Sequence, residues 1–153
     1  MTKLVALFLL VTVNITNAKC QSQESLPTSK NAITTKNMKI KIIKDGKELK
    51  ATLQDNSTSK DFYALLPLTL KIDDFASSEK IAPLPEKLSI YGAPKGYEGK
   101  SGDITYYAPW GNLAIFYKHS TAGYASGLVY MGKIEGDINV LTTGSNEIRI
   151  DKL

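Results

Sequence analysis

The stretch "GDITYYAPWGNLAIFYK", residues 102–118, decides how the chain is read. Ile104, Tyr106 and Ala108 alternate with Thr105 and Tyr107; further on, Leu113, Ile115 and Tyr117 alternate with Ala114 and Phe116. A period of two is the signature of β-strands, whose successive side chains point to opposite faces. Pro109 and Gly111 between the two runs are turn formers, so the stretch predicts a β-hairpin. The second strand is apolar on both faces, which predicts a central strand covered on two sides. Trp110 falls in the turn, where a large aromatic is either packed against the end of the fold or available to a ligand. Strand tyrosines commonly bury the ring and leave the hydroxyl near water, so Tyr106, Tyr107 and Tyr117 read either as core or, with Trp110, as an aromatic binding surface.

Strand signals continue on either side. In "MKIKIIKDGKELKATL", Met38, Ile40 and Ile42 alternate with lysines, as do Leu49, Ala51 and Leu53 with polar residues. Asp45-Gly46 supplies the positive φ angles of a tight hairpin turn. The lysines form a solvated face that discourages edge pairing. Around residues 57–66 the period changes: Ser57 or Thr58 serves as a cap, and Phe62, Leu65 and Leu66 fall on one side of a short helix that Pro67 ends. "LTLKIDDF" returns to alternation through Leu68, Leu70 and Ile72. Pro83 and Pro85 mark a rigid loop leading to a short strand near Leu88–Tyr91, and the glycine-rich residues 92–102 form a wide turn. "GLVYMGKIEGD" predicts a strand with Leu128, Tyr130 and Gly132 on one side. Ile138, Val140 and Leu141 suit one helical turn, and "NEIRI" closes as a strand. Roughly seven or eight short strands with one or two helices predict a mainly β sandwich or closed barrel, because closure removes open sheet edges.

The first residues carry a different message. "MTKLVALFLLVTVNITNAKC" sets Lys3 before an apolar run, Leu4 to Val13, too short to span a bilayer. Thr16 and Ala18 are small residues suited to cleavage after Ala18, so residues 1–18 read as a signal peptide and the chain as secreted or periplasmic. Residues 19–37, polar and rich in Ser and Thr, read as a flexible linker, leaving 38–153 as one domain. Cys20 beside the cleavage point raises a lipid anchor as an alternative, against which Lys19 stands where a small residue is wanted. With one cysteine, no disulfide forms within the chain. The net charge of +4 lies mostly in the leader and linker, since 15 basic residues face 14 acidic ones from Met38 onward. A nucleic-acid partner is therefore not expected.

The chain from "EKIAPLPEKLSIYGAPKGYEGKSGDITYYAPWGNLAIFYK" through "GLVYMGKIEGDINVL" resembles the bacterial cyclophilin-like family over about residues 38–152. The resemblance implies a closed eight-stranded β-barrel with short helices at its ends. Likeness to the cyclophilins proper would imply peptidyl-prolyl isomerase activity, in which a guanidinium supports the twisted X–Pro bond. Here the sequence departs from that pattern. Its single arginine, Arg149, lies in the last predicted strand outside any Phe-His-Arg motif, and Gln54 is the only glutamine after Met38. No catalytic residue is carried over. Relatives' association with flavodoxin-like proteins implies a weaker alternative, an accessory role to a redox partner, although no residue here points to flavin.

Other chemistry finds little footing. One histidine, His119, and one cysteine cannot build the usual zinc sites, and no cofactor or metal is expected. His119 reads as an exposed loop residue, and "GKS" at 99–101 lacks the spaced glycine of a phosphate loop. The expected function is thus a non-catalytic module holding an extended or proline-containing peptide, or a small ligand, at Tyr106, Tyr107, Trp110 and Tyr117. The alternative is a divergent prolyl isomerase.

Overall fold

The computed structural model describes residues 38–153, so the expected signal peptide (1–18), the linker (19–37) and the anchor at Cys20 lie outside the described residues. Eleven strands and a single α-helix make up the described chain. The opening hairpin forms as its alternation predicts: β1 (Met38–Lys44) pairs with β2 (Lys47–Leu53) around Asp45 and Gly46, whose φ angles are 49° and 74°. Helix α1 (Ser57–Leu65) follows, capped one residue earlier than expected, where the Asn56 side chain accepts from the Ser59 N–H at 2.8 Å.

Next come β3 (Leu68–Lys71), β4 (Asp73–Phe75), β5 (Glu79–Pro83), β6 (Gly96–Glu98), β7 (Asp103–Tyr107) and β8 (Asn112–Phe116). After them run β9 (Tyr124–Ser126), β10 (Leu128–Glu135), a short 3-10 helix at Ile138–Thr142, and β11 (Glu147–Lys152). Nine strands form one antiparallel sheet in the order β3-β11-β1-β2-β10-β7-β8-β5-β4, while β6 and β9 make a separate ribbon.

The sheet curls into a nearly closed barrel. Its two ends in the pairing order, β3 and β4, are halves of one extended segment that changes partner at Ile72. Leu68–Lys71 pairs with β11, and Asp73–Phe75 pairs with β5. Counted this way the wall has eight staves, as the cyclophilin-like resemblance implied. The interior is packed by Ile40, Ile42, Phe62, Ile104, Leu113 and Ile115 among others, each at most 1% exposed. Each such side chain contributes roughly 1.5–3 kcal/mol through apolar burial.

Three local expectations fail for identifiable reasons. Residues 79–83 are a strand and not a loop: Glu79 to Ala82 pair with Phe116 to Leu113, and Pro83, opposite Asn112, ends the ladder where its missing N–H is least costly. Residues 88–91 are no strand. Their backbone is held by side chains, with the Leu88 N–H donating to the Tyr106 hydroxyl (3.2 Å) and the Ser89 N–H to Asp61 (2.8 Å). In β10 the register shifts between Tyr130 and Gly132, so Met131 is an inserted residue. That bulge turns Gly132 inward, off the face shared by Leu128 and Tyr130.

Candidate functional site

β8 is buried on both sides, as its sequence predicts, and so is most of β7. Inward, Ile104, Tyr106, Leu113 and Ile115 join the barrel core. Outward, Ala114 and Phe116 form a second apolar cluster with Leu128, flanked by Ile81, Tyr97, Tyr107 and Ala125. The β6–β9 ribbon covers part of this outer cluster, with β6 against β10 and the Tyr97 ring 5.2 Å from that of Tyr130.

Between the ribbon and the outer faces of β5 and β8 a pocket of about 190 Å³ remains open. Ile81, Ala114 and Phe116 form its floor, and Phe75, Tyr107 and Trp110 form an aromatic wall. Ser120, Ala122 and Ala125 line the opposite side, while Glu79 and Asn112 supply polar groups. Trp110 stands edge-on to both neighbours, its ring centroid 5.2 Å from Tyr107 and 5.7 Å from Phe75. It remains 59% exposed, an unusual state for an indole within an aromatic cluster.

Glu79 is the chemically distinctive member. Alternation along β5 puts it on the same face as Ile81, opposite Phe116 in the ladder. Its carboxyl group makes no hydrogen bond or ion pair with another described residue, and burial pushes its pKa up from 4.5 to about 7. The turn before it, between β4 and β5, places Ala76 and Ser77 at φ 50° and 51° and is closed by the Ser78 N–H donating to the Phe75 carbonyl (3.1 Å). Left-handed backbone at two non-glycine residues is costly, and here it joins two pocket residues.

The four aromatics singled out in the sequence part company. Tyr107 and Trp110 line the pocket together. Tyr106 does not: inward alternation buries it to 1% exposure, and its hydroxyl is taken by the Leu88 N–H, which makes it core. Tyr117 stands past the end of β8, where its hydroxyl donates to Asp74 (2.9 Å) and Lys80 and Lys118 lie over its ring. The Lys80 hydrogen bond (2.8 Å) holds the Asp74 carboxyl below its ordinary value. Sequence reasoning missed Glu79, Phe75 and Asn112. The "EKIA" alternation before Pro83 was the signal for Glu79, masked by two prolines.

His119 is exposed, as expected. Arg149, on β11, binds Asp151 at 2.9 Å and is not among the pocket residues. A second hollow, also about 190 Å³, lies on the far side of the ribbon among Gln54, Asn56, Pro94, Tyr97 and Tyr130. The Tyr97 hydroxyl there is committed to Asp103 (2.9 Å), and burial together with that bond pushes its pKa up to about 12. Among the described residues no cluster of His, Cys, Asp or Glu is arranged to hold a metal ion, and no helix is long and apolar enough to cross a membrane.

A curled antiparallel barrel with an aromatic pocket on its outer wall defines the class of the protein. The cyclophilin-like family model matches residues 42–151, and the chain belongs to that family. The solution structure of the hypothetical protein AF2241 from Archaeoglobus fulgidus is similar in fold, with a TM-score of 0.54 at 12% identity, covering 76% of this chain and 95% of that one. No curated protein matches the chain.

Proposed function

We propose that the chain is a secreted, non-catalytic binding module of the cyclophilin-like family, holding an extended or proline-containing peptide in the outer-wall pocket. The pocket carries this reading: an open, mostly apolar hollow walled by Trp110, Tyr107 and Phe75 beside the one-sided strand β9. Aromatic faces suit proline rings and extended backbone. A single-sided edge strand offers free ladder positions to an incoming chain. The leader at residues 1–18 supports export.

Titrating Trp110 fluorescence with short proline-containing peptides tests the reading. A saturable spectral shift, lost in Trp110→Ala when the same binding is followed by calorimetry, is the expected outcome. Silence with every peptide in both measurements would reject it. A protease-coupled assay on an Ala-Pro peptide is expected to return the uncatalysed isomerisation rate, because no guanidinium lines the pocket to support the twisted amide.

A further inference from the structure

Resting on the peptide-pocket reading, we propose that the outer-wall pocket selects a lysine side chain of the bound peptide, its ammonium group held by Glu79 against the aromatic wall. Glu79 stands on the apolar floor formed by Ile81 and Phe116, and no described cation neutralises it. The charged groups of β4, β5 and β7 are engaged with one another or share its sign. On β4, Asp74 accepts from Lys80 of β5 (2.8 Å) and from Tyr117, and Asp73 adds another negative charge. Beyond β8, Lys118 lies over the Tyr117 ring and His119 is exposed. Asp103 of β7 is bound by Lys133 of β10 (3.0 Å), and β9 carries no acidic or basic side chain. An unpaired carboxylate in an apolar hollow, with acidic neighbours, is complementary to a cation.

The size and walls of the hollow narrow the class of cation. The pocket, about 190 Å³ and open to solvent, is concave, so it takes a side chain projecting into it and not a folded surface. Lysine has a compact ammonium on a slender apolar stem, whereas arginine carries a broad planar fork. The stem would lie along Ile81 and Phe116, and the ammonium would gain both the Glu79 carboxylate and the electron-rich faces of the wall. Two further lining residues, Asn112 and Ser120, offer oxygen acceptors. A peptide fits better than a free amine because β9 is paired on one side only, leaving an edge for the flanking backbone. Burial raises the Glu79 pKa to about 7, so capture of an ammonium below that pH requires loss of a proton. Affinity for the lysine peptide should therefore rise with pH through neutrality.

The test uses the full chain and three blocked alanine pentapeptides differing only at the central residue: lysine, Nε-acetyl-lysine or norleucine. Binding is read by Trp110 fluorescence and calorimetry near pH 8 and near pH 5.5. The expected result is binding of the lysine peptide at least about tenfold tighter than the other two at the higher pH, equivalent to ~1.4 kcal/mol. That margin should shrink at the lower pH and disappear in Glu79→Gln. Equal binding of all three by the unmodified chain would overturn lysine selection while leaving the peptide pocket standing. Failure of every peptide, proline-containing ones included, would overturn both. Butylamine binding as tightly as the lysine peptide would overturn the peptide as the source of the ammonium.

Discussion

Two hairpins of this chain, β1–β2 and β7–β8, differ in one respect that organises the molecule. In β1–β2, the inward Ile40, Ile42, Leu49, Ala51 and Leu53 are buried, while Lys39, Glu48 and Lys50 on the other face remain exposed. In β7–β8 the second face is buried too, and in β8 it is apolar: Ala114 and Phe116 are as hidden as Leu113 and Ile115. A single barrel interior requires only one buried face per strand. Where a second one exists, something must cover it. Here the β6–β9 ribbon covers part, and the uncovered remainder is the pocket. β10 is where the two regimes meet: its outer residues change from Leu128 and Tyr130 to Lys133 and Glu135 across the Met131 bulge.

The largest expected effects test that contrast directly. Ile42→Ala in β1 should cost about 2–5 kcal/mol in urea unfolding, while its neighbour Lys41→Ala should stay within roughly 0.5 kcal/mol. In β8, Ile115→Ala should cost about 2–5 kcal/mol and the adjacent Phe116→Ala about 3–5 kcal/mol, without alternation. A Phe116→Ala as cheap as Lys41→Ala would break the comparison. Next comes the bulge. A methyl group on Gly132 would meet the Thr52 carbonyl oxygen and the Leu53 Cα (2.9 Å), both backbone atoms of β2. Gly132→Ala should therefore cost about 1–3 kcal/mol, measured the same way, because the two strands must move apart.

Much of this was legible in the chain itself. The first hairpin and β7–β8 announce themselves because alternation, turn chemistry and burial agree. Glu79 was hidden because Pro83 and Pro85 signal a loop, yet Pro83 only ends a strand whose four preceding residues pair normally. Tyr106 misled for the opposite reason. Sequence places it beside Tyr107 and near Trp110, but a one-residue step in a strand reverses the side on which a ring stands. Phe75 and Trp110 come together from separate hairpins, a juxtaposition that no local pattern encodes.

The two remaining predictions sharpen the outer wall. Glu79 holds its proton more tightly folded than unfolded, with a pKa near 7 against the ordinary 4.5. Its contribution to stability is most favourable below pH 4.5, declines as pH rises toward 7, and is level above that. Discounting for the solvent that reaches the pocket, Glu79→Gln should stabilise the chain by on the order of 1 kcal/mol at pH 8 and flatten that slope. A slope unchanged by the substitution would show that another group produces it. Smallest of all, Trp110→Ala should alter stability by no more than about 0.5 kcal/mol, since an indole this exposed adds little to packing. Its thermal midpoint should stay close to that of the parent chain, even where peptide binding is lost.

The segment Leu68–Phe75 fastens β11 to β5, and its final residue is also a wall of the pocket. That side of the binding hollow is thereby committed to architecture: altering its course would unfasten the seam of the cylinder. The facing side, at Ser120, Ala122 and Ala125, belongs to a short connection and a three-residue strand furnished with small side chains. Diversity among such proteins has an obvious place to accumulate, on the lip that can be exchanged while the clasp stays fixed.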